Sequence, residues 1–361
     1  MRSRLHTVGL AVGLAVGLAA VAPLLLALSL APSPAHADAV GPPAVNGMPI
    51  EEAARCGTPG SDDAAWIDRL QSGVYGGVCG AAVWFDGLFG TARFDEDSDR
   101  TFGRLGLFET YDRRDQLDTS LQLRARYALP NMKNRLRLIV ARGDEDQLVE
   151  ERAATADKPL PQGFQAVGDD AWLLGLGYSK QGSPHDGFDF GIGVRLSTDI
   201  EPYVKGTYRH NFIFSPNTML RFRETPFWRD SRGFGTTTRL ALDYLATDNV
   251  LLRWNNSATV AQDTEALDWT TSATAYQSLS QRRAISYTAL VQGETGADVP
   301  LQNYGVLTTY RQPVFRKWLF LELSGSLTWP KDTVEEEREI NPGVGLGFEM
   351  YFGPVDDIDL R

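Results

Sequence analysis

A period of two, held from Phe102 to Phe352, limits this chain more than any other feature. Residues 120–129 put Leu121, Leu123, Ala125, Tyr127 and Leu129 on one side, and Gln122, Arg124, Arg126 and Ala128 on the other. After Pro130-Asn131, Leu136, Leu138 and Val140 alternate with Arg135, Arg137, Ile139 and Ala141. Phe188, Phe190, Ile192, Val194 and Leu196 then oppose Asp189, Gly191, Gly193, Arg195 and Ser197. Side chains on a strand point alternately to its two faces, so these are strands with one apolar and one polar or small face. A soluble sandwich and a closed barrel both alternate in this way.

About fourteen such segments follow one another, each near the ~9–11 residues that a tilted membrane-crossing strand needs. Their connections differ in character. Short ones hold Pro130-Asn131, Ser215-Pro216-Asn217, Thr247-Asp248-Asn249 and Ser280-Gln281-Arg282, and longer ones cover 143–169, 228–234, 260–265, 293–300 and 329–341. The brevity of the 198–201 connection leaves twelve strands as the alternative. Aromatics mark the apolar face near strand ends: Tyr111, Trp172, Tyr178, Tyr208, Trp254 and Trp318. The opposite face is rich in Arg and Gly, which a dry sandwich core would not accept. The last segment sets Val344, Leu346, Phe348, Met350 and Phe352 against Gly345, Gly347, Glu349 and Tyr351. It resembles the C-terminal insertion signal of Gram-negative outer-membrane β-barrel proteins, a porin-like class. The resemblance covers 102–352. It implies an all-β transmembrane antiparallel barrel, no cofactor, and as partners outer-membrane lipid, lipopolysaccharide and the barrel-assembly machinery.

If the apolar face meets lipid, the other face lines an interior. There the basic residues are Arg104, Arg124, Arg126, Arg135, Arg137, Arg195, Lys205, Arg209, Arg221, Arg223, Arg239 and Arg253. Rows of guanidinium groups favour anion passage, so a passive channel for a small anionic solute is the first expectation. The competing one is a non-conducting barrel, closed by a ladder between these cations and Asp189, Asp243, Asp268, Glu322 and Glu349, or by an N-terminal plug. The connections carry acids: Asp144, Glu145, Asp146, Glu150, Glu151, Asp157, Asp169 and Asp170, then Asp332, Glu335, Glu336, Glu337 and Glu339. They read as solvated outer loops, with divalent-cation bridging to lipopolysaccharide phosphate as the second reading.

Ahead of the strands lie two other regions. Residues 1–37 read as a secretory signal peptide, with Arg2 and Arg4, an apolar run from Val8 to Leu30, and Ala35-His36-Ala37 for cleavage. An uncleaved anchor helix is the alternative. Residues 38–101 read as a periplasmic region. Ser61-Asp62-Asp63 would cap a short helix through Trp66, Ile67 and Leu70. Val83, Trp84, Phe85, Leu88 and Phe89 suit one face of a second. That stretch would form a small core, plug a barrel or lie in a membrane interface, a small core being the default. Cys56 and Cys79, the only cysteines of an exported chain, are expected to form a disulfide. The barrel is expected over 102–353 and a tail over 354–361.

A net charge of −11 argues against a nucleic-acid partner. No metal-binding or dinucleotide motif stands in the strand region, so no cofactor is expected. Beyond the signal segment the histidines are His185, in the turn-forming Gly182–Gly187, and His210. Neighbours in a turn rarely converge as a triad, and the His-x-Ser element of outer-membrane phospholipase A and lipid A deacylases is missing. No enzyme is expected, a barrel hydrolase being the least favoured of the three readings.

Overall fold

The computed structural model describes Val78, Cys79, Ala81, Ala82, Phe85, Leu88 and Phe89, and residues 102–128, 136–142, 148–151, 171–181, 186–197, 199–264, 266–280, 282–316 and 318–352. The expected signal peptide, Cys56, Arg135, His185, the 61–70 helix and the tail lie outside the described residues.

Fourteen strands follow the alternating segments. They are β1 (Phe102–Asp112), β2 (Gln116–Ala128), β3 (Leu136–Arg142), β4 (Trp172–Gln181), β5 (Asp186–Leu196), β6 (Ile200–Ser215) and β7 (Thr218–Arg229). Then come β8 (Gly233–Thr247), β9 (Val250–Ala261), β10 (Leu267–Ser280), β11 (Arg283–Glu294), β12 (Leu301–Pro313), β13 (Leu319–Thr328) and β14 (Asn341–Phe352). Each pairs antiparallel with its neighbours in sequence, and β1 pairs with β14 from Gly103↔Phe352 to Asp112↔Gly343, closing the cylinder. Closure leaves no free edge, so every strand finds ladder partners on both sides. The twelve-strand alternative falls because 197–199 is a tight connection between two full strands, paired from Leu196↔Ile200 to Asp186↔His210.

Two-residue turns at Pro216-Asn217 and Asp248-Asn249 mark one end of the cylinder, where β1 begins and β14 finishes. The 143–171 and 329–340 connections leave from the other. In barrels of this kind the turn end is periplasmic and the loop end external. No helix among the described residues is long and apolar enough to cross a membrane.

Outside, the apolar rows stand exposed: Leu107, Leu121 and Tyr127, then Phe188, Phe190 and Ile192. On β14 the expected outward set holds for Val344, Leu346, Phe348 and Phe352, with Met350 partly covered. Tyr111, Trp172, Tyr178 and Tyr208 face outward. Trp254 does too, in a shallow groove with Tyr304 and Trp329, whose rings stack 5.4 Å apart. Trp318 instead sits in the β12–β13 turn, where its carbonyl accepts from the Tyr351 N–H.

Glycine lets large inward side chains lie flat on the wall. Tyr203 on β6 crosses Gly193 and Gly175. A Cβ on Gly193 would stand 2.3 Å from the Leu174 carbonyl oxygen and 2.7 Å from the Tyr203 ring. Gly233 opens β8 at φ +70°, a left-handed turn that a side chain would strain.

Candidate functional site

The interior is layered from the turn end upward. At the bottom, Val78, Cys79, Ala82, Phe85, Leu88 and Phe89 pack inside the barrel against Met219, Leu251, Ala284 and Phe320, the lowest inward residues of β7, β9, β11 and β13. The Val78 N–H donates to the Pro216 carbonyl at 3.2 Å, and the Phe89 N–H to Phe85 at 3.0 Å. The rings of Phe85 and Phe89 stand 5.3 Å and 5.2 Å from Tyr276. Of the stretch expected to form a small core or a plug, Phe85, Leu88 and Phe89 are thus in a cluster whose other side is the barrel's own wall.

One residue step above this floor runs a charged layer. Arg221 and Arg253 converge on Asp243 at 2.8 and 2.5 Å. Arg311 reaches Glu322 at 2.9 Å, Glu349, and the Tyr351 hydroxyl at 2.9 Å. Arg104 joins Glu349 at 3.0 Å, so the group spans β12, β13, β14 and β1. Arg311 also lies over the Phe320 ring at 4.9 Å. On β5 and β6, Arg209 meets Asp189 at 2.8 Å. Arg124, Arg126 and Arg137 are buried on the inward face of β2 and β3. The ladder of Arg with Asp189, Asp243, Glu322 and Glu349 thus forms. Asp268, its other expected member, stands near the loop end of β10, where its charge acts on Arg232.

Hydroxyl pairs link neighbouring strands along the inner wall: Thr207 with Thr225 at 3.2 Å, Thr237 with Thr259 at 2.9 Å, and Thr274, beside Arg253, with Thr288 at 3.0 Å. Residues 148–151 lie inside the barrel at this level. Leu148 and Val149 pack against Ala141, Leu173 and Tyr203. Glu150 and Glu151, expected in a solvated loop, are 0% and 3% exposed. Glu151 receives Arg223 at 2.8 Å, Lys205 at 3.3 Å and the Thr207 hydroxyl at 3.0 Å. Its carbonyl accepts from Arg239 at 3.3 Å. Glu150 receives Arg229 at 3.0 Å and Arg232 at 2.8 Å. Glu201 bridges Arg195 and Arg229 at 3.3 and 2.9 Å. Burial disfavours the charge on Arg232, in the β7–β8 turn, and the adjacent Glu150 and Asp263 outweigh it and raise its pKa.

At the rim, Arg114 pairs with Asp332 at 2.5 Å and Glu336 at 3.3 Å. The N–H of Asp332, with the Arg114 charge, holds the partly exposed Glu336 carboxyl below its ordinary range against a smaller opposing effect of burial. His210 projects outward beside Tyr208, and its Nδ1 meets Asp186. It faces away from the interior groups.

Sequence reading missed Glu150, Glu151, Glu201, Arg229, Arg232 and Arg311. Arg311 and Glu201 were findable by parity, since each falls on the inward register of its strand. Nothing local marks Glu150 and Glu151, whose partners are more than fifty residues away.

A closed antiparallel cylinder, apolar outside and charged within, defines an outer-membrane β-barrel of the porin-like class. No protein-family model matches the chain, and no curated protein matches it. Among solved structures it is similar to a KdgM porin in complex with disordered oligogalacturonate (7% identity, 69% of this chain and 99% of that one, TM-score 0.35). It is also similar to an anion-selective porin from Comamonas acidovorans (11% identity, 70% and 98%, TM-score 0.40). OmpT, an outer membrane protein of Vibrio cholerae, matches at 10% identity over 70% and 97%, with a TM-score of 0.41. Likeness at this level concerns the barrel alone.

Proposed function

We propose that this barrel is a narrow passive pore of the Gram-negative outer membrane that favours small anionic solutes and has no catalytic role. One observation carries the reading. Cations from two neighbouring strands, Lys205 on β6 and Arg223 and Arg229 on β7, converge within salt-bridge distance on carboxylates that no strand supplies, those of Glu150 and Glu151. An interior that gathers carboxylates from a distant connection also suits anions from solution. Arg124, Arg126, Arg137, Arg195, Arg209, Arg221, Arg239 and Arg253 extend the same field along the path.

The test is single-channel current from purified, refolded protein in a planar bilayer under a salt gradient. Discrete steps with an anion-leaning reversal potential are expected, and Arg223→Gln should move that potential toward zero. Silence from protein folded by its heat-dependent gel shift overturns the open pore. A second reading, a non-conducting barrel, is favoured by the apolar packing of Val78 to Phe89 across the turn end. It expects silence that ends when residues 78–90 are deleted from the full chain.

A further inference from the structure

The 148–151 segment is placed as a bound molecule would be. Two carboxylates enter two adjoining cation sets. One set is Lys205, Arg223 and the Thr207 hydroxyl around Glu151. The other is Arg229 and Arg232 around Glu150. The backbone is held as well: Lys205 donates to the Leu148 carbonyl at 2.5 Å and Arg239 to that of Glu151. Delivering both side chains at once puts Glu151 at φ +52°, a left-handed conformation that strains a non-glycine residue. The apolar anchor is small, Leu148 and Val149 on Ala141, Leu173 and Tyr203. Charge on charge, rather than apolar burial, therefore holds the segment in the barrel.

We propose that Glu150 and Glu151 are a tethered surrogate ligand, filling a two-part oligoanion site on β6, β7 and the β7–β8 turn that a soluble dianion takes over when the segment withdraws. The ligand class is a small flexible molecule with two carboxylates or phosphates set about as far apart as neighbouring acidic side chains. The inference deepens the anion-pore reading and rests on it for its functional meaning, though the site itself needs only the geometry. A tether of this kind acts at an effective concentration on the order of millimolar. The soluble competitor must therefore be present at similar concentration, which suits a passive pore. Withdrawal does not strand the upper cations, because Arg229 keeps Glu201 and Arg232 keeps Asp263.

The experiment titrates the full-length protein and its Glu150→Gln/Glu151→Gln variant with the dipeptide N-acetyl-Glu-Glu-amide. Binding is read by calorimetry in micelles and block by bilayer current. N-acetyl-Gln-Gln-amide is the control, and pyrophosphate tests phosphate against carboxylate. The variant should bind the dipeptide about tenfold or more tighter than the parent and carry larger current that the dipeptide blocks. Glu150→Gln alone, which leaves the upper cations with Glu201 and Asp263, should show part of that gain if the double variant fails the gel-shift check. Equal binding to parent and variants, or binding of the Gln control, overturns the proposal. Tighter binding by the variant in a barrel without anion preference sinks the pore reading and leaves the site standing.

Discussion

Replacing Arg311 by Met tests whether the charged layer at the turn end supports the barrel. Arg311 is 2% exposed and holds Glu322 at 2.9 Å, Glu349 and the Tyr351 hydroxyl at once. Met keeps the apolar stem against Phe320 and Tyr351 and deletes only the charge. Glu349 still has Arg104 at 3.0 Å, whereas Glu322 has no second ion pair among the described residues. The cost is that of one stranded buried carboxylate, about 3–5 kcal/mol. Making Glu322 neutral should recover most of it, leaving Arg311→Met/Glu322→Gln about 1–2 kcal/mol below the parent. Urea unfolding in lipid vesicles, followed by the heat-dependent gel shift, measures all three along a double-mutant cycle. A single variant within about 1 kcal/mol of the parent would refute the reasoning. So would a double variant whose loss equals the sum of the two singles.

Other outcomes follow from the same structure. Gly193→Ala puts a methyl group against the Leu174 carbonyl and the Tyr203 ring and should cost about 1–3 kcal/mol in the same urea assay; the companion Tyr203→Ala should relieve part of it. The Glu336 carboxyl is lowered in the fold, so the stability it lends the 329–340 connection is present above its ordinary value of 4.5 and is lost as pH falls through its lowered one. Exchange protection in the 329–340 peptide, taken relative to the intrinsic rate at each pH, should fall over that acid range, and Glu336→Gln should abolish that fall. If Cys56 and Cys79 are joined, the denatured protein takes up thiol-alkylating reagent only after reduction, at both positions.

Strand content was legible in this chain because lipid and interior impose opposite demands on alternate residues. All of Leu121, Leu123, Phe188, Phe190, Val344 and Leu346 answer to the outside, and Arg124, Arg126, Asp189 and Glu349 to the inside. The period survives even where the inward residue is only glycine, as at Gly345 and Gly347. What the pattern hid is whatever enters the barrel without belonging to its wall. Glu150 and Glu151 stand in an acidic stretch that reads as solvated, and only Lys205, Arg223 and Arg229 on distant strands reveal otherwise. Phe85 and Phe89 declare an apolar face by their spacing but not the surface that covers it, which Met219, Leu251 and Phe320 supply from the far end of the chain. Arg311 went unremarked because β10 to β12 are rich in Ser, Thr and Gln, and a lone charge among them forms no row.

The Arg104–Glu349–Arg311 group lies where the first and last strands of the chain meet. Strands β1 and β14 are made at opposite ends of the sequence, so their ladder is the contact of longest reach and the costliest in loop-closure entropy. Before that ladder zips, Arg311 on β12 can already neutralise Glu349 on β14, whereas the Arg104–Glu349 pair has to wait for β1 to arrive. The rendezvous of Arg104 with Glu349 is thus a reward available only to a chain that has come full circle. It favours the closed ring over an open sheet of the same strands, and over any ring that shuts one strand early.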